Sequence, residues 1–440
     1  MLRKINRSES NPSATKVRRK LSYGWVVVIA SAFIILIGGS FQYSFGVFIK
    51  PLINKFGWSR TAISASITTR SITSGLIGPI VGTLSDRYGS KKFILVGILL
   101  VGLSQILTSR ITTLWHLYLF LGALAGIGIS LFFVPIFAMV PKWFGDKSAL
   151  GNGIVLSGFG WAQIIIPPVA TYLILQYSWE TCFLILGIAA LVLGTVAWSF
   201  IRTPPNTVKQ PQAKPIEADA PKASEPPTGV KDNYTLSEAL RTPALWIMLL
   251  IFAIIAASYQ MVVIHIIVAA IDIGLTSEAA AIILSLSGIG NIAGRLILGG
   301  LATKIGNKIT LSFCLASQAL ALFFLAGASD LYAFYIIAAI HGFGYGGSTP
   351  IVFTMAGSFF GTKSIGSIIG TINAAYALGI AAGPLWAGYI FDVTGSYYTA
   401  FLYASIAVMI SFLLCLLLKP PRRKTLTPYP YYYKSSTASP

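Results

Sequence analysis

Apolar runs of about 20 residues recur along this chain, separated by short polar breaks rich in glycine, proline or charge. A helix rises 1.5 Å per residue, so each run is long enough to cross ~30 Å of hydrocarbon. Twelve runs are legible, at 23–46, 61–84, 92–109, 113–139, 149–175, 181–201, 243–265, 279–301, 309–327, 332–356, 365–391 and 397–418. They fall six and six around 203–241, a stretch rich in Pro, Lys, Ala and Glu that cannot cross lipid and reads as a flexible linker. Its end, TLSEALR at 235–241, predicts a short surface helix. The expected organisation is a tail at 1–21, a six-helix bundle at 22–202, the linker at 203–241, a second six-helix bundle at 242–418 and a tail at 419–440.

Composition sharpens this into an all-α membrane protein. Hydrophobic residues make up 55% of the 440 and charged residues only 10%, too few charges to cover a soluble surface. The net charge of +19 would suit a nucleic-acid binder, but its distribution excludes that partner. Basic residues gather at Lys16, Arg18, Arg19 and Lys20, at Arg87, Lys91 and Lys92, in the linker, and at Lys419, Arg422, Arg423 and Lys424. These segments fall on one side of a twelve-span topology, so both termini and the linker are expected in the cytoplasm and the protein in the cell membrane. The first apolar run continues as a full span with no small-residue cleavage site after it, so no cleaved leader is expected. Cys182, Cys314 and Cys415 all sit in apolar runs without CxxC spacing, which argues against metal and disulfide roles; no cofactor is expected.

The two halves repeat. GTLSDRYGSK at 82–91 follows the second run, and GGLATKIGNK at 299–308 follows the eighth, 217 residues later. Gly126, Gly128 and Trp143-Phe144-Gly145 are echoed by Gly342, Gly344 and Phe359-Phe360-Gly361, and Pro168 by Pro384, at an offset of 216. Several matches at nearly one offset imply homologous bundles about a pseudo-twofold axis. In the first copy Gly82 and Gly89 permit a tight turn, while Asp86, Arg87 and Lys91, with Lys304 of the second copy, form a candidate conformational latch between bundles. Thr303 replaces the acid in the second copy, which weakens any latch there.

The GxxxDRxGxK pattern resembles the loop motif of the major facilitator superfamily, and the resemblance implies its fold of two pseudo-symmetric six-helix bundles. Within it, residues 22–418 look like the oxalate/formate antiporter and monocarboxylate transporter branch. That likeness rests on Tyr23-Gly24-Trp25, Gly46-Val47-Phe48, FGWSR at 56–60, Arg241-Thr-Pro243 before Trp246, Asn291-x-x-Gly294-Arg295, GFGYG at 342–346, Gly383-Pro384 and DVTGSY at 392–397.

A charge inside a span is costly and usually functional. Arg295 lies nine residues before Lys304, about 13 Å inside the boundary and near the midplane. Arg70 lies within the polar stretch 64–74 of the second run. All thirteen acids fall in tails, loops, the linker or span ends. A deep guanidinium without an internal carboxylate favours an anionic ligand, to which it offers a bidentate fork. The alternatives are snorkelling for Arg295 and stabilisation of the N-terminal bundle for Arg70. The resemblance implies a substrate arginine at Arg295, but Asn291 stands where proton-coupled animal carriers have aspartate, and Tyr43 near where they use lysine. Leu378 stands where the oxalate antiporter has a lysine, and losing that second cation tilts the substrate towards a monocarboxylate.

Gln42, Tyr43, Tyr259, Gln260, His341, Tyr345, Asn373 and Tyr376 are further polar candidates at membrane depth, each open to a packing role instead. His341 is a candidate proton carrier, while His265 borders the membrane and His116 lies at an outer span end. No catalytic cluster and no GxxxxGK[ST] sequence are present, so neither an enzyme nor an ATP-driven pump is expected from this chain. The reading is a monomeric secondary carrier of small organic anions such as lactate or pyruvate, working by alternating access, with proton coupling left open. An oxalate/formate-type antiporter and a non-transporting receptor are the alternatives.

Overall fold

The computed structural model describes residues 12–144, 148–202, 234–361 and 364–421. Most of the linker (203–233), Asp146, residues 1–11 and the Tyr-rich tail beyond 421 lie outside these, as does the Asp86 side chain.

The first span is α1 (Pro12–Tyr43) and α2 (Phe45–Phe56), with a break at Ser44. Next come α3 (Arg60–Tyr88) and α4 (Ser90–Thr108). The fourth span begins as α5 (Leu114–Leu117), passes through a π-helical turn over Tyr118–Leu124 and continues as α6 (Ala125–Phe144). Then follow α7 (Ser148–Gln176) and α8 (Trp179–Ser199). The linker ends in α9 (Leu236–Leu240), whose Thr235–Glu238 capping box accounts for so short a helix forming where the sequence predicts one. The second half is α10 (Pro243–Asp272), α11 (Ser277–Ile305), α12 (Asn307–Ala326), α13 (Leu331–Phe360), α14 (Ile365–Thr394) and α15 (Tyr398–Leu417).

Several span ends run past their expected bounds, among them α10, which continues to Asp272 rather than ending near 265; the two largest departures are in the first span. The first span runs on to Phe56 rather than ending near 46, and stops where Gly57 takes φ +70°, a left-handed cap disfavoured for other residues. Helix α1 starts at Pro12, inside the expected tail, because proline suits a first helical position and nothing before Tyr23 breaks the helix.

Eleven of the twelve spans are both long and apolar enough to cross a membrane by composition. Helix α3 has the length, at 29 residues, but is rich in Ser and Thr. Its hydroxyls donate back to their own helix, Ser66 to Ile63 O, Thr69 to Ala65 O, Ser71 to Ile67 O and Thr83 to Pro79 O. Other hydroxyls of α3 reach neighbouring helices, as Thr68 does in donating to Ala381 O, so these hydroxyls are satisfied within the protein rather than by lipid.

The repeat is visible in the backbone. Helices α3 and α11 are both 29 residues long. Each ends at a glycine of positive φ, Gly89 at +92° and Gly306 at +94°, which turns the chain directly into α4 and α12. The halves meet where α3 packs on α14, α7 on α11 and α2 on α10.

Candidate functional site

A chain of polar side chains crosses the contact between the halves. The Tyr259 hydroxyl on α10 donates to Gln163 Oε1 on α7 (2.7 Å) and accepts from Asn291 Nδ2 on α11 (3.0 Å). One turn along α11, the Arg295 guanidinium donates to Asn291 Oδ1 at 3.5 Å, a long contact that leaves most of its hydrogen-bonding capacity free. Tyr345 lies flat on Tyr259, with ring centroids 3.4 Å apart, and its hydroxyl meets that of Tyr376 at 2.5 Å. Beside this chain, Gln42 Nε2 on α1 donates to Gln260 Oε1 on α10 (3.2 Å). Tyr43 is buried and lies within electrostatic range of Tyr345, Tyr376, Tyr259 and Arg295.

The ion pairs among the described residues are Lys50–Asp272, Arg60–Asp272 and Lys55–Glu180, so no carboxylate pairs with Arg295 there. Arg70 is buried beside the Phe41 ring, and its Nη1 has no hydrogen-bond partner among the described residues. His341 is fully buried, with its ring 6.0 Å from that of Tyr259, so it stands behind the tyrosine layer rather than within the hydrogen-bonded chain. Asn373 is exposed, about one turn from Tyr376. The structure therefore gathers Arg295, Asn291, Tyr259, Tyr345, Tyr376 and Tyr43 together, pairs Gln42 with Gln260, and leaves Arg70, His341 and Asn373 at the margins.

At the end of the molecule away from the chain termini, the halves are tied by charge. Asp272, closing α10, takes Lys50 Nζ at 2.9 Å and Arg60 Nη1 at 2.7 Å. Arg60 also donates to the Tyr397 hydroxyl (2.8 Å) and stacks 3.6 Å over Phe391. Asp392 of α14 accepts the backbone N–H groups of Arg60 (3.0 Å) and Thr61 (2.9 Å), so a carboxylate from one half caps a helix of the other. A side chain at Gly388 would collide with that same Arg60–Thr61 backbone, whose amide nitrogen at Thr61 lies 2.9 Å from where a Cβ would sit. His265 is buried here, between the Tyr397 hydroxyl and the Pro384 carbonyl, 2.9 Å from each.

Of the candidate latch residues, Arg87 and Lys304 are exposed. Lys91 lies 4.6 Å from the Trp198 ring, within its own half. A Cβ at Gly82 would lie 3.6 Å from Val134 of α6, and Gly89 makes the turn already described.

Sequence reading missed Gln163, and it missed Arg60, Asp272, Asp392 and Tyr397 as a connected set. Gln163 is the amide interrupting an otherwise apolar run before Pro167, which was the available signal. The others sit at span ends, where charge is ordinary, and only their meeting in space distinguishes them.

Two halves of long apolar helices, tied at one end by charge and holding a cation with no ion-pair partner among the described residues, have the architecture of a membrane transporter. The chain belongs to the Major Facilitator Superfamily, whose family model matches residues 28–326 and again 254–431. It is similar to monocarboxylate transporter 13 of Rattus norvegicus, at 26% identity over 87% of this chain and 86% of the relative. It also resembles monocarboxylate transporter 12 of the same species, at 27% identity over 94% and 89%. Among solved structures, a bacterial homologue of the human lysosomal transporter Spinster, in an inward-facing and occupied conformation, matches with a TM-score of 0.69 and 15% identity over 93% of this chain and 97% of that one. The chain is thus a multi-pass membrane transporter and not an enzyme.

Proposed function

We propose that this transporter carries small monocarboxylates such as lactate or pyruvate by alternating access, with Arg295 as the anion-binding group. The observation that carries the reading is a guanidinium at membrane depth with one long hydrogen bond and no carboxylate partner among the described residues, within electrostatic range of Tyr43, Tyr345 and Tyr376. An anion there gains charge-assisted hydrogen bonds that are not screened as they would be in water. Asn291, Tyr43, Tyr259, Tyr345 and Tyr376 orient it, Gln42 and Gln260 border the site, and Asn373, Arg70 and His341 flank it.

The halves are residues 22–202 and 242–418, joined by the linker at 203–241. With tails and linker in the cytoplasm, the Lys50–Arg60–Asp272–Asp392 cluster is extracytoplasmic and closes the outer path. The loops carrying Gly82, Asp86, Arg87, Gly89, Lys91 and Lys304 are cytoplasmic and close the inner path in the opposite state. A monomer in the cell membrane suffices, because one chain supplies both halves.

The deciding experiment is uptake of labelled lactate into proteoliposomes, with unlabelled pyruvate, formate, oxalate and a sugar as competitors. Competition by monocarboxylates and not by the sugar supports the reading; no uptake of any carboxylate ends it. Preferential exchange of oxalate would favour the antiporter alternative, for which the buried Arg70, whose Nη1 has no partner among the described residues, would supply a second cation.

A further inference from the structure

The hydrogen-bond chain through Tyr259 has a direction, and a residue of the opposite half sets it. A tyrosine hydroxyl has one proton, and here it goes to Gln163 Oε1. Tyr259 must then accept from Asn291, which turns Asn291 Nδ2 inward and leaves Asn291 Oδ1 facing Arg295. If the Gln163 amide rotates, its Nε2 donates to Tyr259, the tyrosine proton swings to Asn291 Oδ1, and Asn291 Nδ2 is freed to point where Arg295 points. The first arrangement offers Arg295 an acceptor and suits the empty site. The second places an amide donor beside the guanidinium and suits an anion. The Gln163 Nε2 atom is buried without a partner among the described residues, so the amide has a spare donor for the second arrangement.

The surroundings transmit the choice. Gln163 presses on α11 at Gly288, where an added Cβ would lie 3.1 Å from the glutamine side chain, so Gln163 sits at the α7–α11 contact between halves. Tyr259 is held in place by the stacked Tyr345 ring, so proton direction rather than ring movement is the free variable. We propose that Gln163 is a positioning residue that senses the anion at Arg295 from the opposite half, by reversing the polarity of the Gln163–Tyr259–Asn291 chain. This rests on the reading of Arg295 as the carboxylate site.

The test is lactate binding and counterflow in reconstituted Gln163→Glu, Gln163→Met, Tyr259→Phe and the two double variants, each checked for monodispersity by gel filtration. A carboxylate at 163 can only accept, so it locks the empty-site polarity. Gln163→Glu should raise KM about tenfold with a smaller change in kcat, and acid conditions, which protonate the new carboxyl, should return part of the loss. Tyr259→Phe cuts the chain, so adding Gln163→Glu or Gln163→Met to it should have little further effect. Additive effects in both cycles, or a Gln163→Glu defect that acid does not relieve, would overturn the proposal; if Gln163→Glu fails to fold, the Gln163→Met cycle decides alone. Arg295→Gln run in parallel separates the two claims. Its full activity would remove the carboxylate site itself, whereas its loss together with additive cycles would remove only the role of Gln163.

Discussion

Arg60, which opens α3, and Asp272, which closes α10, meet at 2.7 Å across the boundary between the halves. The pair is more than a surface ion pair. Arg60 is 8% exposed and also engages Tyr397 and Phe391, while its backbone N–H is held by Asp392. Two helix ends, two carboxylates and two cations therefore meet in one cluster.

Asp272→Asn should loosen this closure. Charge-assisted hydrogen bonds contribute about 1.5–3 kcal/mol, and the partly exposed Asp272 belongs at the low end, so the open population should rise roughly tenfold. A cysteine at Ser64, a buried residue beside His265, reports the change through its labelling rate with an impermeant thiol reagent. The native cysteines are buried and give a low background. Because Asp392 acts at the same closure, Asp392→Asn added to Asp272→Asn should fall short of additivity. Unchanged labelling in both variants would mean that the cluster does not govern access.

Arg295→Lys keeps the charge and loses the fork, so lactate counterflow should be strongly impaired, and Arg295→Gln should nearly abolish it. The loss of one charge-assisted contact corresponds to about 1.5–3 kcal/mol, or roughly tenfold to over a hundredfold in affinity. Both variants should remain monodisperse, because Arg295 has no ionic partner among the described residues to leave stranded.

His341→Gln should leave the pH dependence of lactate uptake unchanged. The ring is fully buried behind Tyr259 and neither nitrogen has a hydrogen-bond partner among the described residues, so it packs there without a visible route for protons. Asn291 cannot titrate either, so in this reading neither residue carries a coupled proton. Loss of proton-driven accumulation in His341→Gln would return that role to the histidine.

The segment 203–241 should resist protease added to right-side-out vesicles and be cut when the membrane is permeabilised. The basic residues around the linker and both termini motivate this orientation. Rapid external cleavage would invert the topology and make the Arg60–Asp272 cluster the cytoplasmic closure.

Much of the architecture was legible because lipid imposes it locally. A run of about 20 apolar residues has few options but a helix, and several matches at nearly one offset imply two matching bundles. Arg295 and Asn291 were legible for the same reason: a polar residue at mid-span is conspicuous against its neighbours. The extent of the first span was not, since whether Phe45–Phe56 continues it depends on the break at Ser44 and the left-handed Gly57. Helix α3 was read as a span even though its hydroxyls dilute its apolarity, and the structure shows those hydroxyls turned back onto its own carbonyls.

By itself the sequence predicts twelve membrane-length runs, matching halves, and a cation well inside a span without a nearby acid along the chain. Tertiary structure alone decided which polar groups share a site. Gln163 and Tyr259 are 96 residues apart, and Arg60 and Asp392 332, so no local pattern links them. Their partnership comes from α7 packing on α11 and α3 on α14, and helix–helix packing depends on side-chain shape along whole interfaces rather than on spacing within one helix.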